Sequence, residues 1–215
     1  TLFNGQIAIP MVSKSHCTYD LAGNIWYGNS SLGLYKYDIK SEKLSHFPKN
    51  GSDPSSPTSD SITTLGIDSK GFIWVMNSAC KLEKIDGQTG KVIMRKSFPR
   101  FSDHNYKLFI HSDDLIWIFD KNQGSGVFTF DSKTDTVENY REGNAKIQLP
   151  KNMVAAITED ESKNIWIGTD HGGLLVYNKT TGTNNVVTNQ PLNPRGLSGN
   201  SIYCMYRDSD GFIWI

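Results

Sequence analysis

The stretch Asp160-Glu161-Ser162-Lys163-Asn164-Ile165-Trp166-Ile167-Gly168-Thr169-Asp170-His171-Gly172-Gly173-Leu174-Leu175-Val176-Tyr177-Asn178 decides the fold, because weaker copies of it recur along the 215 residues. All five tryptophans follow an isoleucine: Trp26, Trp74, Trp117, Trp166 and Trp214, at separations of 48, 43, 49 and 48. A period in the forties with one tryptophan per unit is the mark of propeller blades or a similar array.

Working outward from the tryptophan, each unit reads as four short strands. The first precedes an aspartate: Ser61–Ile67, Met153–Ile157 and Ser201–Tyr206. Its apolar residues fall on both faces, so it is expected to be enclosed on two sides. A turn follows, as in Asp20-Leu21-Ala22-Gly23, Asp68-Ser69-Lys70-Gly71 and Asp208-Ser209-Asp210-Gly211. There aspartate can bond nearby backbone N–H groups and glycine can take a positive φ. The tryptophan strand comes second, its indole available to fill space between sheets.

The third strand is Gly33–Asp38, Leu82–Asp86, Gly126–Asp131 and Gly173–Asn178. Leu34, Leu82, Val127 and Leu174 form one column and Tyr37, Ile85, Phe130 and Tyr177 another. The fourth, such as Lys91–Arg95 or Asn185–Thr188, has the mixed polarity of an outer edge strand. Segments rich in Pro, Ser, Gly and Asn (Pro48–Asp60, Phe98–Asn105, Arg141–Asn152, Asn189–Asn200) read as crossings from the rim of one blade to the inner strand of the next. The expected fold is all-β: a β-propeller of four-stranded antiparallel blades. Residues 1–215 read as a single partial domain of about four and a half blades from a longer protein.

Composition narrows the function. Lys+Arg and Asp+Glu number 22 each, so no basic excess exists to hold phosphate backbones, and direct nucleic-acid contact is not expected. No apolar run is long enough to span a bilayer, and the residues from Thr1 onward lack a signal-peptide profile. Cys17, Cys80 and Cys204 show no C-x-x-C spacing and read as small buried hydrophobes. Cys17 shares a packed column with Leu65, Ile157 and Met205, each three residues before its turn aspartate.

His16, His46, His104, His111 and His171 fall at dissimilar repeat positions with no metal spacing. Asp20, Asp68, Asp160 and Asp208 read as turn formers rather than acid/base pairs. Gly172-Gly173 lacks the helix or lysine of a phosphate cradle. No catalytic, metal or cofactor set is therefore expected. The remaining chemical surface is the loops after the tryptophan strand and before the inner strand, which propeller topology places on one axial face. That face would carry Asn29, Ser30, Asn77, Asp120, Asn122, Asp170 and His171, with Arg100, His104, Tyr106 and Arg195 from the crossings. Polar planar groups and aromatic or guanidinium planes suit sugar hydroxyls and sugar faces.

The motif D-x-x-x-x-I-W-I-G-T-x-x-G-G-L-x-x-Y-N over Asp160–Asn178, with the approach Asn193–Ile202 echoed by Asp53–Ile62, resembles the two-component regulator propeller repeats of bacterial hybrid two-component sensors. The resemblance runs over nearly the whole chain. It implies a periplasmic sensor region of an inner-membrane protein, an oligosaccharide ligand, and signalling to a histidine kinase that controls polysaccharide-utilisation genes. It also implies a homodimer in the full-length protein. A propeller lyase or hydrolase and a protein-interaction propeller are the alternatives.

Departures from the motif are also legible. Val75–Cys80 stands where G-T-x-x-G-G would, Asn164 reads as the replacement for the turn glycine, and matching Ile110 to Ile157 makes the third hairpin two residues short. Residues 208–215 supply only a turn and a tryptophan strand. Trp214 should therefore be less enclosed than Trp166, in an open arc or one closed by strands around Phe3–Ile9 or by a neighbouring molecule.

Overall fold

The computed structural model describes residues 15–100, 106–120, 122, 124–193 and 196–215. It divides into two compact units, Thr1–Leu108 and Phe109–Ile215. In the first, β1 (His16–Tyr19), β2 (Ile25–Asn29), β3 (Gly33–Asp38) and β4 (Lys43–Phe47) form one sheet. The second sheet is β5 (Ile62–Ile67), β6 (Ile73–Asn77), β7 (Lys81–Ile85) and β8 (Val92–Ser97). A sheet of β9 (Lys107–Ile110), which starts at the unit boundary, β10 (Ile116–Phe119), β11 (Val127–Asp131) and β12 (Thr136–Tyr140) is followed in the second unit by one of β13 (Val154–Glu159), β14 (Ile165–Thr169), β15 (Gly173–Tyr177) and β16 (Asn184–Val187). The hairpin β17 (Tyr206–Arg207) and β18 (Ile213–Trp214) comes last.

Every four-stranded sheet keeps its strands in chain order, and neighbouring strands such as β1–β2, β2–β3, β5–β6 and β14–β15 pair antiparallel. The described residues contain no helix. Ser201–Met205, expected as strand, is not paired; Ile202 instead donates its N–H to the Thr169 carbonyl at 3.0 Å. Phe3–Ile9 lie outside the described residues.

The core sits between consecutive sheets. Trp26 and Leu34 of the first sheet pack with Ile62, Leu65, Ile73, Ile85 and Val92 of the second. In the other unit Trp117, Phe119 and Val127 pack with Val154, Ile157, Ile165 and Tyr177. Within each unit, alternation along the inner strands thus supplies the apolar faces that pack one sheet on the next.

Two glycines follow from this packing. A Cβ on Gly28 would lie 2.7 Å from Ile62 Cγ2, and one on Gly168 would lie 2.5 Å from Ile202 Cγ2. The glycine two residues after the tryptophan therefore admits the isoleucine that opens the next repeat. Where the third blade has Phe119 at this place, the facing residue is the smaller Val154. Gly28→Ala is expected to cost about 1–3 kcal/mol through overpacking. Urea denaturation of Gly28→Ala, with and without Ile62→Val to make room, checks this: the second change should recover much of the loss.

The hairpin turns share one bonding scheme, and it corrects two expectations. The N–H of the first turn residue donates to the carbonyl of the fifth: Asp20 to Asn24 at 2.9 Å, Asp68 to Phe72 at 3.1 Å, Asp160 to Asn164 at 3.1 Å and Asp208 to Phe212 at 2.9 Å. His111 donates to Leu115 in the same way at 3.0 Å. The third hairpin is therefore full length, with His111 at the aspartate position and Leu108, not Ile110, opposite Ile157. Matching apolar residues shifted the frame because histidine hid the turn's first residue. The fourth turn position carries positive φ: 85° at Gly23 and Gly71, 87° at Gly211, 71° at Asp114 and 64° at Lys163. Lys163, not Asn164, stands in the glycine's place. Asn164 is the fifth residue, and its Nδ2 donates to Asp160 Oδ2 at 2.8 Å.

Burial also departs from the simple repeat. Trp26, Trp74 and Trp117 are buried, whereas Trp166 is half-buried and Trp214 is 64% exposed. Trp26 and Trp117 each face a complete four-stranded sheet, while Trp166 is followed only by the β17–β18 hairpin. Trp214 is less enclosed than Trp166, as expected. Cys80 is buried, but Cys17 and Cys204 are exposed. Leu65 and Ile157, in the Cys17 column, pack on the tryptophan of the sheet before them. No described sheet precedes β1, so the same column position is open at Cys17.

Candidate functional site

Asn29 and Asn77 end their tryptophan strands and Asp120 follows the third, and all three are candidates for a ligand face. The structure turns them inward. Asn29, Asn77, Asp120 and Thr169 are all buried. Asn29 Oδ1 accepts from the N–H groups of Ser31 at 2.9 Å and Leu32 at 2.5 Å. Asn77 Oδ1 accepts from Ala79 at 3.0 Å, Asp120 Oδ1 accepts from Asn122 at 2.8 Å, and Thr169 Oγ1 donates to the Gly173 carbonyl at 2.9 Å. These side chains cap the turn after the tryptophan strand. In the second blade, which lacks the glycine pair, Cys80 itself adopts φ 56° to complete that turn.

The crossings are latched by a repeated contact that the sequence did not announce. Asp60, Asn152 and Asn200 each accept, through Oδ1, the N–H of a residue where the crossing begins: Lys49 at 2.7 Å, Glu142 at 2.7 Å and Asn189 at 2.6 Å. Their own carbonyls accept from Gly33 at 2.8 Å, Gly126 at 3.0 Å and Gly173 at 2.7 Å. One residue thus closes the crossing and ties it to the neighbouring turn. The register of Asp60, Asn152 and Asn200 just before each inner strand was the available signal.

On this loop face the exposed candidates are Ser30, Arg100, Asn122 and His171, with Asp170 half-buried. The exposed His171 ring places Nδ1 3.0 Å from Asp170 Oδ1, and its backbone N–H donates to Ser201 Oγ at 3.2 Å. Tyr106 is buried, and its hydroxyl donates to the Pro99 carbonyl at 3.0 Å. His104 and Arg195 lie outside the described residues. Within the first unit the Pro54–Thr58 crossing borders a cavity of about 310 Å³ lined by Lys49, Asn50, Thr58, Lys81 and Arg95. Behind it lies Glu83, fully buried. Its carboxylate accepts from Arg95 Nε at 2.9 Å and from the Thr58 N–H at 3.1 Å, and Arg95 donates onward to the Pro54 and Ser56 carbonyls.

The opposite face carries the aspartate turns, and their electrostatics are structural. Burial alone would raise the Asp20 carboxyl, but hydrogen bonds from Asn24, Trp26 and Ala22 outweigh it and hold it below the ordinary 3.8. Asp160 is lowered against its burial by Trp166 and Asn164. Asp113 opposes its desolvation with bonds from Lys179 and His111 and falls to about 2. A depressed carboxylate stabilises the fold fully above its unfolded pKa and loses that contribution as pH falls through its folded value. The melting temperature is therefore expected to drop as pH is lowered from about 4 toward 2, and Asp113→Asn should flatten the lower part of that slope in a pH series of thermal melts.

Among the described residues no group of three or more His, Cys, Asp or Glu could hold a metal ion, and no helix is long and apolar enough to cross a membrane. Four-stranded antiparallel blades in chain order, with tryptophans between sheets, define a β-propeller chain. Residues 148–171 and 196–215 match the family model described as two component regulator propeller. No curated relative matches.

Among solved structures, the extracellular domain of Bacteroides thetaiotaomicron BT4673, described as a hybrid two component system, is similar at 20% identity and a TM-score of 0.67. That match covers 93% of this chain and 25% of the other. The corresponding domain of BT3049 from the same organism gives 20% identity and a TM-score of 0.62 over 92% and 31%. The β-propeller domain of Myceliophteria thermophila Cps50 (Swd1) gives 14% and 0.64 over 91% and 59%. The chain thus spans about a quarter to a third of the two bacterial relatives' length, and at these identities the likeness is one of fold.

Proposed function

We propose that this chain is a sensory segment, outside the cytoplasm, of a hybrid two-component system. In this reading it detects an oligosaccharide and signals to a histidine kinase that controls polysaccharide-utilisation genes. The supporting observation is the pair of regulator-propeller matches at residues 148–171 and 196–215, in a fold shared with extracellular domains described as belonging to such systems. The segment itself is non-catalytic in this reading: its aspartates cap turns and its histidines are scattered. Arg100, Asn122 and His171 offer exposed donors and acceptors to sugar hydroxyls on the loop face. The location would be periplasmic and the full-length protein a homodimer.

The test is calorimetric titration of the complete extracellular region against digests of plant and host polysaccharides. Saturable heat from a defined digest is expected, with no change in glycan chain length. Glycan cleavage by the purified region would instead favour a lyase or hydrolase, and silence across a broad panel would remove the sensory reading.

A further inference from the structure

In four of the five hairpins the indole N–H is taken by the aspartate six residues before it. Trp26 donates to Asp20 Oδ2 at 3.1 Å, Trp74 to Asp68 at 2.9 Å, Trp166 to Asp160 at 2.9 Å and Trp214 to Asp208 at 2.7 Å. In the first two a lysine on the next strand joins them, Lys36 Nζ at 3.6 Å and Lys84 Nζ at 3.2 Å from the same carboxylate oxygen. The third hairpin has neither group. His111 holds the aspartate position, and Thr129 stands opposite Trp117 as Lys36 does opposite Trp26.

His111 does not substitute for the missing carboxylate. Its Nδ1 lies 2.7 Å from Asp113 Oδ1 and its Nε2 3.2 Å from Glu159 Oε2. Asp113 caps the turn through the Leu115 N–H at 3.1 Å and pairs with Lys179. Trp117 Nε1, on a side chain 1% exposed, is left with no acceptor among the described residues. Leaving such a donor unpaired is costly. Trp117 also lines a cavity of about 200 Å³, together with Leu115, Thr129, Tyr177 and the half-exposed Lys146 and Lys179.

We propose that this cavity binds a small hydroxycarboxylate whose carboxylate accepts from Trp117 Nε1, as the aspartates do in the other hairpins. Lys146 and Lys179 lie in exposed pairs with Glu138 and Asp113, and such pairs are weak enough to be shared with a ligand anion. Asp131 and Glu138 also line the cavity, and they provide acceptors for the ligand's hydroxyls. The volume is below the ~300–1,000 Å³ of drug-sized clefts, so the ligand is compact, of about monosaccharide size. The inference stands apart from the oligosaccharide reading, since it concerns the hairpin face rather than the loops.

The test uses ¹⁵N-labelled protein and the indole N–H signals of its five tryptophans, titrated with D-glucuronate and, as the neutral counterpart, D-glucose. Glucuronate should move one indole signal, assigned by its absence in Trp117→Phe, and glucose should leave it in place. His111→Asp restores the sequence of the other hairpins, so it should satisfy the indole internally and weaken glucuronate binding about tenfold or more. Should glucose shift the signal equally, His111→Asp bind glucuronate as the parent does, or no indole signal move, the proposal is wrong.

Discussion

Replacing Glu83 with alanine is expected to destabilise the first unit by about 3–5 kcal/mol, the range for removing one partner of a buried ion pair. Glu83 is wholly enclosed, and its carboxylate is the common acceptor for Arg95 Nε, the Thr58 N–H and Asn77 Nδ2. Truncation leaves those donors without their acceptor and frees the Arg95 guanidinium, which holds the Pro54 and Ser56 carbonyls. The crossing Pro54–Thr58 should then exchange its amides faster, while the distant hairpin turns stay protected. A control lies at Lys151, whose 3.0 Å pair with Glu142 is half-exposed; Lys151→Ala should cost at most about 1 kcal/mol. Equal shifts in urea midpoint for the two variants would falsify the claim that Glu83 anchors the crossing.

Trp26→Ala is expected to cost a comparable ~3–5 kcal/mol, the range for a large aromatic removed from a packed core. Trp26 is fully buried among Leu65, Ile73 and Ile85, lies 5.4 Å from the Phe47 ring at 17°, and donates to Asp20. Its repeat-mate Trp214 makes the same bond to Asp208 while 64% exposed. Trp214→Ala should therefore cost less than about 1 kcal/mol, with the half-buried Trp166 between the two. The series isolates burial, because the indole–aspartate bond is common to all three. Similar losses at Trp26 and Trp214 would show that the bond, not the enclosing sheet, carries the stability.

Much of the fold was legible because its rules are local. The Ile-Trp pairs mark the second strand of each blade, and the aspartate turns appear where the Asp-x-x-Gly pattern stands. Even Lys163 and Asp114 could be placed once the turn's first residue was known, since the fourth position takes positive φ. The third hairpin was misread for the same local reason: with His111 at its head, the side-chain signature vanished while the backbone bonds remained.

The candidate site was legible only as a face. Loop position assigned Asn29, Asn77 and Asp120 to it, but an Asx side chain satisfies its own turn before it can serve a ligand. Ser30, Arg100, Asn122 and His171 remain exposed there. The latches Asp60, Asn152 and Asn200 escaped notice because each joins groups about ten residues apart and a neighbouring turn.

By itself the sequence determined the all-β class, the four-strand unit, the turn positions and the identity of the packing column, since period-two alternation and turn chemistry act within a few residues. Only the tertiary structure decided which members of a column are buried. Leu65 and Cys17 occupy the same place in their strands, yet Leu65 packs on Trp26 and Cys17 stands exposed. Likewise Glu83 reads as an ordinary strand charge until the sheet and crossing close over it, and Trp117 as one more repeat tryptophan until its hairpin proves to lack a carboxylate for it. Burial and hydrogen-bond satisfaction depend on what a neighbouring sheet or loop brings to a residue, and repeats identical in pattern differ in those neighbours.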